Sequence, residues 1–558
     1  MSNKEITKTT KINVMLILAF LVYCISLIVV AAFHEPWLDE AEAWQIARCA
    51  SIKDLFFMIT HYEGHPTLWY LILAIPAKLG MPYEFSLKAI SCCAAMISAG
   101  LILFCSPFPK WFRILLPFHY FLFYQYGVVA RPYSICMVCF WLMAMAFEQK
   151  DQKPMRFILP MMVLCAMSGY GIVLAGGIAI AWVWQICREK QWKLFTKAFW
   201  KDQRIIPLFL LLLCAMFIIW QIMPSADAYA TSRNATNPLP LRLIYTFFMM
   251  LPDSTILTIL QGATYLSMAK LSAYMIIMGI VVGGIMLSVI VLLSEKKKFA
   301  FFVIPYTLFA IFAAIVYFCA HHMGMILCFA IFYLWIIWSD PQRGSYGKAL
   351  AEKLKLKDQD RKSLSKLGMA GAVLLIGMAI YWNIGASFLD ITQPYYYGRE
   401  VAAFLKETGL WQEAVMSEYD IRRDQNENGE SVITSINTEL TSRAVAIVPY
   451  FEHNFVKNLG YGSDDHGYVI HRVPSDSEVF ETLRKWREMG LPAVLIGPVD
   501  VNAIFGEQVK ETRYVAVYKY EAFPNIWKAF TSSYNIQYDE FIYVREDLLS
   551  KYHLTELK

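Results

Sequence analysis

The sequence predicts a polytopic α-helical membrane protein with about 11 transmembrane helices and a C-terminal extracytoplasmic α/β domain. Of its 558 residues, 57% are apolar and only 17% are charged, and the mean hydropathy is +0.43. The apolar residues form runs of about 17 to 23, long enough as helices to cross a hydrocarbon core of about 30 Å. These values exclude a soluble globular enzyme. The formal charge of +5 is too small and too dispersed to indicate nucleic acid as a partner.

The predicted spans follow one another along the first two thirds of the chain. The first, 12–33, has no small-residue cleavage site at its end, so we expect a retained span and not a cleaved signal. The others are 85–105, 114–130, 132–147, 157–168, 171–187, 205–223, 271–293, 299–318, 323–338 and 367–389. The stretch 157–187 counts as two helices broken at Ser168–Gly171, because it is too long for one crossing.

Whether the apolar segment 66–80 crosses the membrane is decided by the distribution of charged residues in the loops. It is short and contains Pro76 and Lys78, which favours an interfacial or re-entrant helix. If it does not cross, the loops on one side carry 25 lysines and arginines and those on the other carry 7. This asymmetry is the positive-inside pattern. It predicts a multi-pass plasma-membrane protein with a cytoplasmic N-terminus.

The same topology places a long loop, 34–84, and the C-terminal part on the extracytoplasmic side. We therefore divide the chain into a transmembrane domain, 1–389, and an extracytoplasmic domain, 390–558. The second domain contains apolar runs that we predict to be strands, AVAIVPY (444–450), AVLIGP (493–498) and YVAVYKY (514–520). The stretch 477–490 has the pattern of a helix, so an α/β domain is expected.

The segment HEPWLDEAEAWQIAR (34–48) contains a cluster of acidic residues that are candidates for a functional site. As a helix with Pro36 near its first turn, it would set tryptophans on one face at the membrane surface and carboxylates on another. For Glu35 and Glu42 a solvated acidic face is a sufficient explanation. For Asp39 and Glu40, directly after the first span, we predict function. Each could be a general base for an alcohol or a metal ligand.

Three further motifs lie at the extracytoplasmic ends of predicted spans and face the same compartment as Asp39. They are YEGHP with Glu63 and His65, ARPYS with Arg131 and Tyr133, and HHMG with His321 and His322. Arg131 between two apolar helices is costly unless an anion pairs with it. A phosphate and a structural carboxylate are both candidates for that anion.

Together these residues resemble the GT-C glycosyltransferases, multispan membrane enzymes that use polyprenyl-phosphate-linked sugars. The similarity rests on WLDEAEAWQIAR, on GHPTLWYLILAIPAKLG with EFSLKAIS (84–91), and on YQYGVVARPYSI (124–135). Their order and spacing are similar to bacterial members with a protein-mannosyltransferase-like or aminoarabinose-transferase-like core. The similar region covers roughly residues 12–340. After Arg131 several relatives carry a second acidic residue, whereas PYSICMV has none.

The resemblance implies an inverting transfer, on the extracytoplasmic face, from a polyprenyl-phosphate-linked sugar to a hydroxyl of a glycan, lipid or protein acceptor. It implies Asp39, together with Glu40, as the catalytic base and Arg131 as a neighbour of the phosphate. We add Tyr133, His65, His321, His322 and Glu63 as candidate substrate- or phosphate-binding residues. Carboxylates alone do not distinguish a base from a ligand of Mg²⁺ or Mn²⁺, so a divalent cation stays an alternative.

A transporter or flippase of lipid-linked saccharides is the main rival function, since polar residues near the membrane face would also line a translocation path. Transporters more often show internal inverted repeats and charged residues at the bilayer midplane. Neither feature is evident in this sequence.

Overall fold

The structure is a computed structural model that describes residues 14–192, 196–229, 237–257, 273–316, 318, 320–425, 431–437, 442–459, 467–522 and 538–557. Helices dominate it, and a small sheet lies near the C-terminus. Within these ranges, six helices are long and apolar enough to cross a membrane: Val14–Phe33, Tyr83–Cys105, Gly169–Glu189, Ile205–Ile222, Ile276–Leu293 and Asp358–Thr392. Several of them point large apolar side chains outward, among them Leu18, Ile25 and Leu213.

Five shorter apolar helices complete the set: Thr67–Lys78, Tyr133–Gln149, Pro154–Met167, Ala300–Ile315 and Met323–Trp338. The expected break at Ser168 is confirmed. Its backbone is extended, with φ −157° and ψ 139°, between the helices Pro154–Met167 and Gly169–Glu189. The final long helix begins at Asp358, earlier than the expected residue 367, because a capping arrangement at Lys357 and Asp360 starts it in the charged segment.

The segment 114–130 is the main departure from the expected helices. It consists of the end of a short α-helix, Lys110–Leu115, a 3₁₀ turn, Leu116–Phe118, and a π-helix, Phe121–Val128. Pro117 has no backbone N–H, so the α-helix does not continue through it. The π-helix packs closely enough that a Cβ at Gly127 would lie 3.1 Å from Leu27 and 3.3 Å from Ala95. It ends at Val128, and Arg131 follows in a non-helical turn.

Four short helices build most of the loop 34–84: Leu38–Cys49, Ile52–Phe57, Thr60–Glu63 and Thr67–Lys78. The first is not the amphipathic surface helix that the sequence predicted. It begins at Leu38, after Pro36, and Trp44 on one face and Glu40 on another are both almost fully buried. Neighbouring segments cover this helix on several sides, and one of them, Ser442–Ile447, lies some 400 residues away in the sequence.

The C-terminal part contains a four-stranded mixed sheet of order β1-β4-β6-β5, with β1 at Val415–Ser417, β4 at Val494–Ile496, β5 at Tyr514–Ala522 and β6 at Tyr538–Arg545. Strand β1 pairs with β4 in parallel, and the other pairs are antiparallel. A hairpin of β2, Asp420–Gln425, and β3, Ser431–Asn437, forms a second sheet. The larger helices here are Gly398–Thr408 and Asp476–Met489.

Two of the three predicted strands are confirmed, in 493–498 and 514–520, as is the helix in 477–490. The third prediction, AVAIVPY, was wrong. Residues Ser442–Ile447 are helical and Val448–Tyr450 form a 3₁₀ turn. Residues Ala444–Val448 are all buried, and every position of this run is apolar. Such a short run shows neither the alternation of a strand nor the period of a helix, and the sequence pattern therefore cannot distinguish the two structures.

Candidate functional site

Asp39 and Arg131 form an ion pair, although they lie about 90 residues apart in the sequence. Asp39 lies in the first turn of the helix Leu38–Cys49, where the helix dipole favours a negative charge. Arg131 lies in the turn between the π-helix and the helix Tyr133–Ala146. The Arg131 side chain is 8% exposed and that of Asp39 is 29% exposed. The Asp39 side chain is thus the more accessible member of the pair for solvent or a substrate.

His65 is the second partner of Arg131. Its Nε2 lies 3.2 Å from Arg131 Nη2. A guanidinium has only donors, so Nε2 accepts this hydrogen bond and the ring proton sits on Nδ1. Gly64, with φ of 64°, ends the helix Thr60–Glu63 and turns the chain so that His65 faces Arg131. Burial and the charge of Arg131 lower the pKa of His65 to about 3, so this imidazole is neutral.

His321 completes the group from a fourth segment, a 3₁₀ turn at Ala320–His322. Its backbone carbonyl accepts a hydrogen bond from Tyr126 Oη at 2.8 Å. Gly324 permits this contact, because a Cβ there would lie only 2.5 Å from the Tyr126 ring. Burial and Arg131 lower the pKa of His321 to about 4. The site therefore holds one cation, one anion and two neutral imidazoles.

The electrostatics keep Asp39 ionised. Burial by itself would raise the pKa of this carboxyl group, but the positive charge of Arg131 outweighs burial and lowers it below its ordinary value. At neutral pH the side chain is a carboxylate. Its basicity is reduced for as long as Arg131 holds it.

Glu40, the other residue expected to be catalytic, occupies a different environment. Its carboxylate accepts the backbone N–H groups of Ala130 at 2.5 Å and Trp37 at 3.1 Å, and it contacts His34 Nε2 at 3.1 Å. The side chain is fully buried. A fully enclosed carboxylate that already contacts three donors is poorly placed for proton transfer to a substrate, so the geometry favours a positioning role for Glu40 over the expected role as a base.

His34 extends this buried network to the end of the last long helix. Its Nδ1 lies 2.8 Å from Asp390 Oδ2, and the same oxygen accepts a hydrogen bond from Tyr124 Oη at 3.0 Å. Burial opposes protonation of His34, but Asp390 and Glu40 outweigh burial and raise its pKa to about 10. Both ring nitrogens therefore donate. Asp390 and His34 have no local sequence signal, since they lie 356 residues apart.

Tyr133 and His322 lie near Arg131, close enough for electrostatic interaction with its charge. Tyr133 is buried and stacks on Tyr126 at 4.8 Å between ring centroids. His322 is buried and packs against Tyr170 at 4.3 Å and His321 at 4.1 Å. Burial lowers the pKa of His322 well below its ordinary value. These two residues form the wall behind His321.

Glu63 belongs to a separate cluster with Glu42 and His471. His471 Nε2 lies 2.9 Å from Glu42 Oε1 and 3.8 Å from Glu63 Oε1. Tyr70 connects this cluster electrostatically with the ion pair: burial, then Glu63 and Glu42, raise its pKa, and Arg131 opposes them. The two clusters are thus neighbours. Sequence reasoning missed His471, which the chain brings in from the C-terminal part.

Arg399 joins Glu35, at the opposite end of the acidic segment, to the C-terminal part, and no sequence pattern indicated this contact. Its backbone N–H donates to Glu35 Oε1 at 2.5 Å, and its guanidinium makes two bonds, 2.8 and 2.6 Å, to Glu84. Tyr450 Oη also donates to Glu84, at 2.7 Å. Burial raises the pKa of Glu35 to about 8. Glu35 and Glu42 were expected on a solvated face, but both are buried in these contacts.

The arrangement as a whole can hold an anion and accept a proton. Arg131 is a buried cation whose partner Asp39 is partly exposed, and neutral imidazoles flank the pair. An incoming anion can compete for the guanidinium and leave Asp39 as a free carboxylate beside it. In comparisons with known proteins, no family model, no curated protein and no solved structure matches this chain.

Proposed function

We propose that this chain is a membrane glycosyltransferase with a GT-C-like architecture of about 11 spans. It moves a sugar from a polyprenyl-phosphate donor to an acceptor hydroxyl on the extracytoplasmic face, with inversion at the anomeric carbon. The apolar helices support a lipid-embedded enzyme with a lipid-linked donor. The distribution of lysine and arginine supports the orientation, with the N-terminus cytoplasmic and residues 390–558 outside.

The observation that carries the proposal is the pairing of Asp39 with Arg131. The resemblance to GT-C enzymes implies a proton acceptor at Asp39 and a phosphate neighbour at Arg131, and the two side chains meet. The Asp39 side chain is the more exposed member of the pair and lies beside a buried guanidinium, which is the arrangement that an acceptor and a donor phosphate would need.

Donor binding prepares the base in this proposal. The phosphate of the donor pairs with Arg131, because a guanidinium binds phosphate oxygens in a two-pronged geometry. Arg131 then no longer holds Asp39 exclusively, and the carboxylate becomes more basic as the neighbouring positive charge is neutralised. Enzyme without donor is thereby kept in a less reactive state.

Transfer is a single displacement. Asp39 accepts the proton of the acceptor hydroxyl, and the acceptor oxygen attacks the anomeric carbon. The bond between that carbon and the phosphate oxygen breaks, and the polyprenyl phosphate leaves with the electron pair. Arg131 stabilises the charge that develops on the leaving group. General-base help of this kind is worth about 10²–10⁴-fold in rate.

The neutral histidines and Glu40 have supporting roles in the proposal. His65 and His321 supply polar groups without adding positive charge, so the donor phosphate has one dominant cation to bind. Glu40 is a positioning residue, because its bond to Ala130 N–H fixes the residue next to Arg131. The expected binding roles of Tyr133, His322 and Glu63 stay predictions.

Incubation of the purified protein with a polyprenyl-phosphate sugar in detergent tests the proposal. A glycosyltransferase releases polyprenyl phosphate as the acceptor is consumed, and the product has the anomeric configuration opposite to that of the donor. A flippase, reconstituted in vesicles, would instead move the intact lipid-linked saccharide across the bilayer. Translocation with no bond cleavage would contradict the proposal.

A further inference from the structure

Three ligand-type side chains converge beside the ion pair: Glu42 of the helix Leu38–Cys49, Glu63 of the helix Thr60–Glu63, and His471. One oxygen or nitrogen atom from each lies within 4.8 Å of the corresponding atoms of the other two. The Glu42 and Glu63 side chains are each 8% exposed, and that of His471 is 27% exposed. The cluster is thus mostly enclosed, with access to solvent on the His471 side.

The surroundings of Glu42 Oε1 favour a bound cation. Among the described residues, its buried Oε1 accepts no hydrogen bond, although His471 Nε2 lies only 2.9 Å away. The imidazole is therefore close to this oxygen but not aligned as its donor. Two ligands of one metal ion are separated by about 3 Å and point at the ion instead of at each other, as follows from metal–ligand bonds of about 2.0–2.2 Å.

The charges of the three side chains also favour a bound cation. Two carboxylates enclosed next to one imidazole leave this trio with excess negative charge, and a buried carboxylate is costly unless a cation compensates it. A divalent ion would neutralise both carboxylates and satisfy Glu42 Oε1. It would also offset the repulsion between Glu42 and Glu63.

We propose that Glu42, Glu63 and His471 bind a divalent transition-metal ion, Zn²⁺ or Mn²⁺. Imidazole nitrogen with carboxylate oxygen suits these ions, whereas Mg²⁺ and Ca²⁺ take mainly oxygen ligands. Three protein ligands leave at least one coordination position open. The proposal concerns metal binding alone and does not depend on the glycosyltransferase activity.

The ion would fasten the C-terminal part to the loop 34–84. The backbone around His471 is itself held, because its carbonyl accepts from Tyr229 N–H at 3.0 Å and Val473 N–H donates to Asp227 at 2.7 Å. Gln45, one turn after Glu42, donates to the carbonyl of Gly467 at 2.9 Å. The metal would thus join three separate segments at one point, next to the turn that presents Arg131.

Metal content and affinity of the purified full-length protein test this proposal. After chelation and dialysis into Zn²⁺, we expect about one ion per chain in the wild type. We expect Glu42→Gln and His471→Gln to weaken the affinity measured by calorimetry by at least tenfold, the lower end of what loss of even an outer partner costs a metal site. Zn²⁺ should also raise the thermal unfolding midpoint of the wild type and not that of the variants.

The matched controls are Glu452→Gln and His453→Gln, which change the same residue types at exposed positions of the C-terminal part. They should bind Zn²⁺ as the wild type does. Folding of every variant is checked by its gel-filtration profile before metal is added. Wild-type protein that binds Zn²⁺ and Mn²⁺ no more tightly than Glu42→Gln would overturn the proposal, whether or not sugar transfer is observed.

Discussion

Glu40 and Ala130 are joined by a hydrogen bond in which Glu40 Oε1 accepts the Ala130 backbone N–H at 2.5 Å. Each has a neighbour of functional interest, Asp39 before Glu40 and Arg131 after Ala130. The bond therefore fixes the helix Leu38–Cys49 against the turn that carries Arg131. It explains why two distant motifs meet with their charged side chains in contact.

Replacement of Glu40 should destabilise the protein. Glu40→Ala leaves the Ala130 N–H and His34 Nε2 without their buried acceptor, and breaking a buried pair by removing one partner costs about 3–5 kcal/mol. Urea or thermal unfolding in detergent measures the change. Glu452→Ala, at an exposed position, is the control and should have almost no effect. Equal stability of the two variants would contradict the buried network.

The stability of the protein should fall at alkaline pH because of His34. Its pKa is raised to about 10 in the folded state, against about 6.5 when unfolded. The stabilisation is complete below pH 6.5 and is lost progressively as the pH rises to about 10. Unfolding midpoints between pH 6 and 10 measure this slope. It should be shallower in His34→Gln, and identical slopes in the two proteins would be inconsistent with a charged His34.

Gly324 should tolerate no side chain. A Cβ would lie 2.5 Å from the ring of Tyr126. The hydroxyl of Tyr126 donates to the His321 carbonyl, and its ring stacks on Tyr133. We expect Gly324→Ala to cost about 1–3 kcal/mol by overpacking and to reduce turnover. Gly176→Ala, which meets nothing within 4 Å, is the matched control in another helix. If both substitutions had the same effect on stability, the close packing of Tyr126 on Gly324 would be refuted.

Replacement of Arg131 by lysine should weaken donor binding. Lysine keeps the charge but loses the fork that matches both phosphate oxygens and the Asp39 carboxylate. We expect the KM for the polyprenyl-phosphate sugar to rise about tenfold or more, the value of one strong hydrogen bond to a charged group. Steady-state kinetics at several donor concentrations measure it. An unchanged donor KM would remove Arg131 from the phosphate site.

The sequence predicted the coarse structure because hydrophobic run length is a local property. The positions of the apolar helices, the break at Ser168 and the strands near 494 and 515 all follow from patterns of neighbouring residues. The segment 114–130 was not predictable in this way. Its apolar run has the length of a span, but tertiary packing by Leu27 and Ala95 and the absence of an N–H at Pro117 break it into 3₁₀ and π turns.

The candidate site was predictable only as a set of separate motifs. Asp39, His65 and Arg131 were singled out as polar residues at the ends of apolar segments, and the structure brings them into contact. The roles of His34, Asp390 and His471 could not be predicted, because each depends on a partner hundreds of residues away. No pattern of nearby residues carries that information.

The burial of the acidic segment could not be predicted from the sequence either. The spacing of Glu35, Asp39 and Glu42 suggested one solvated face, but the C-terminal part covers that region and supplies Arg399 and His471 as partners. Only Asp39 keeps a substantial exposed fraction, 29% of its side chain. A helix that contacts both the apolar helices and the C-terminal part has few exposed positions, so amphipathicity alone misplaces its charges.

Turnover of Asp39→Asn with a polyprenyl-phosphate sugar tests the central claim most directly. Asparagine keeps the size of the side chain and can still hydrogen-bond to Arg131, but it cannot accept the proton. We expect release of polyprenyl phosphate to fall by about 10²–10⁴-fold, while Asp54→Asn in the same loop stays near the wild-type rate. Near-normal release by a folded Asp39→Asn protein would contradict the account.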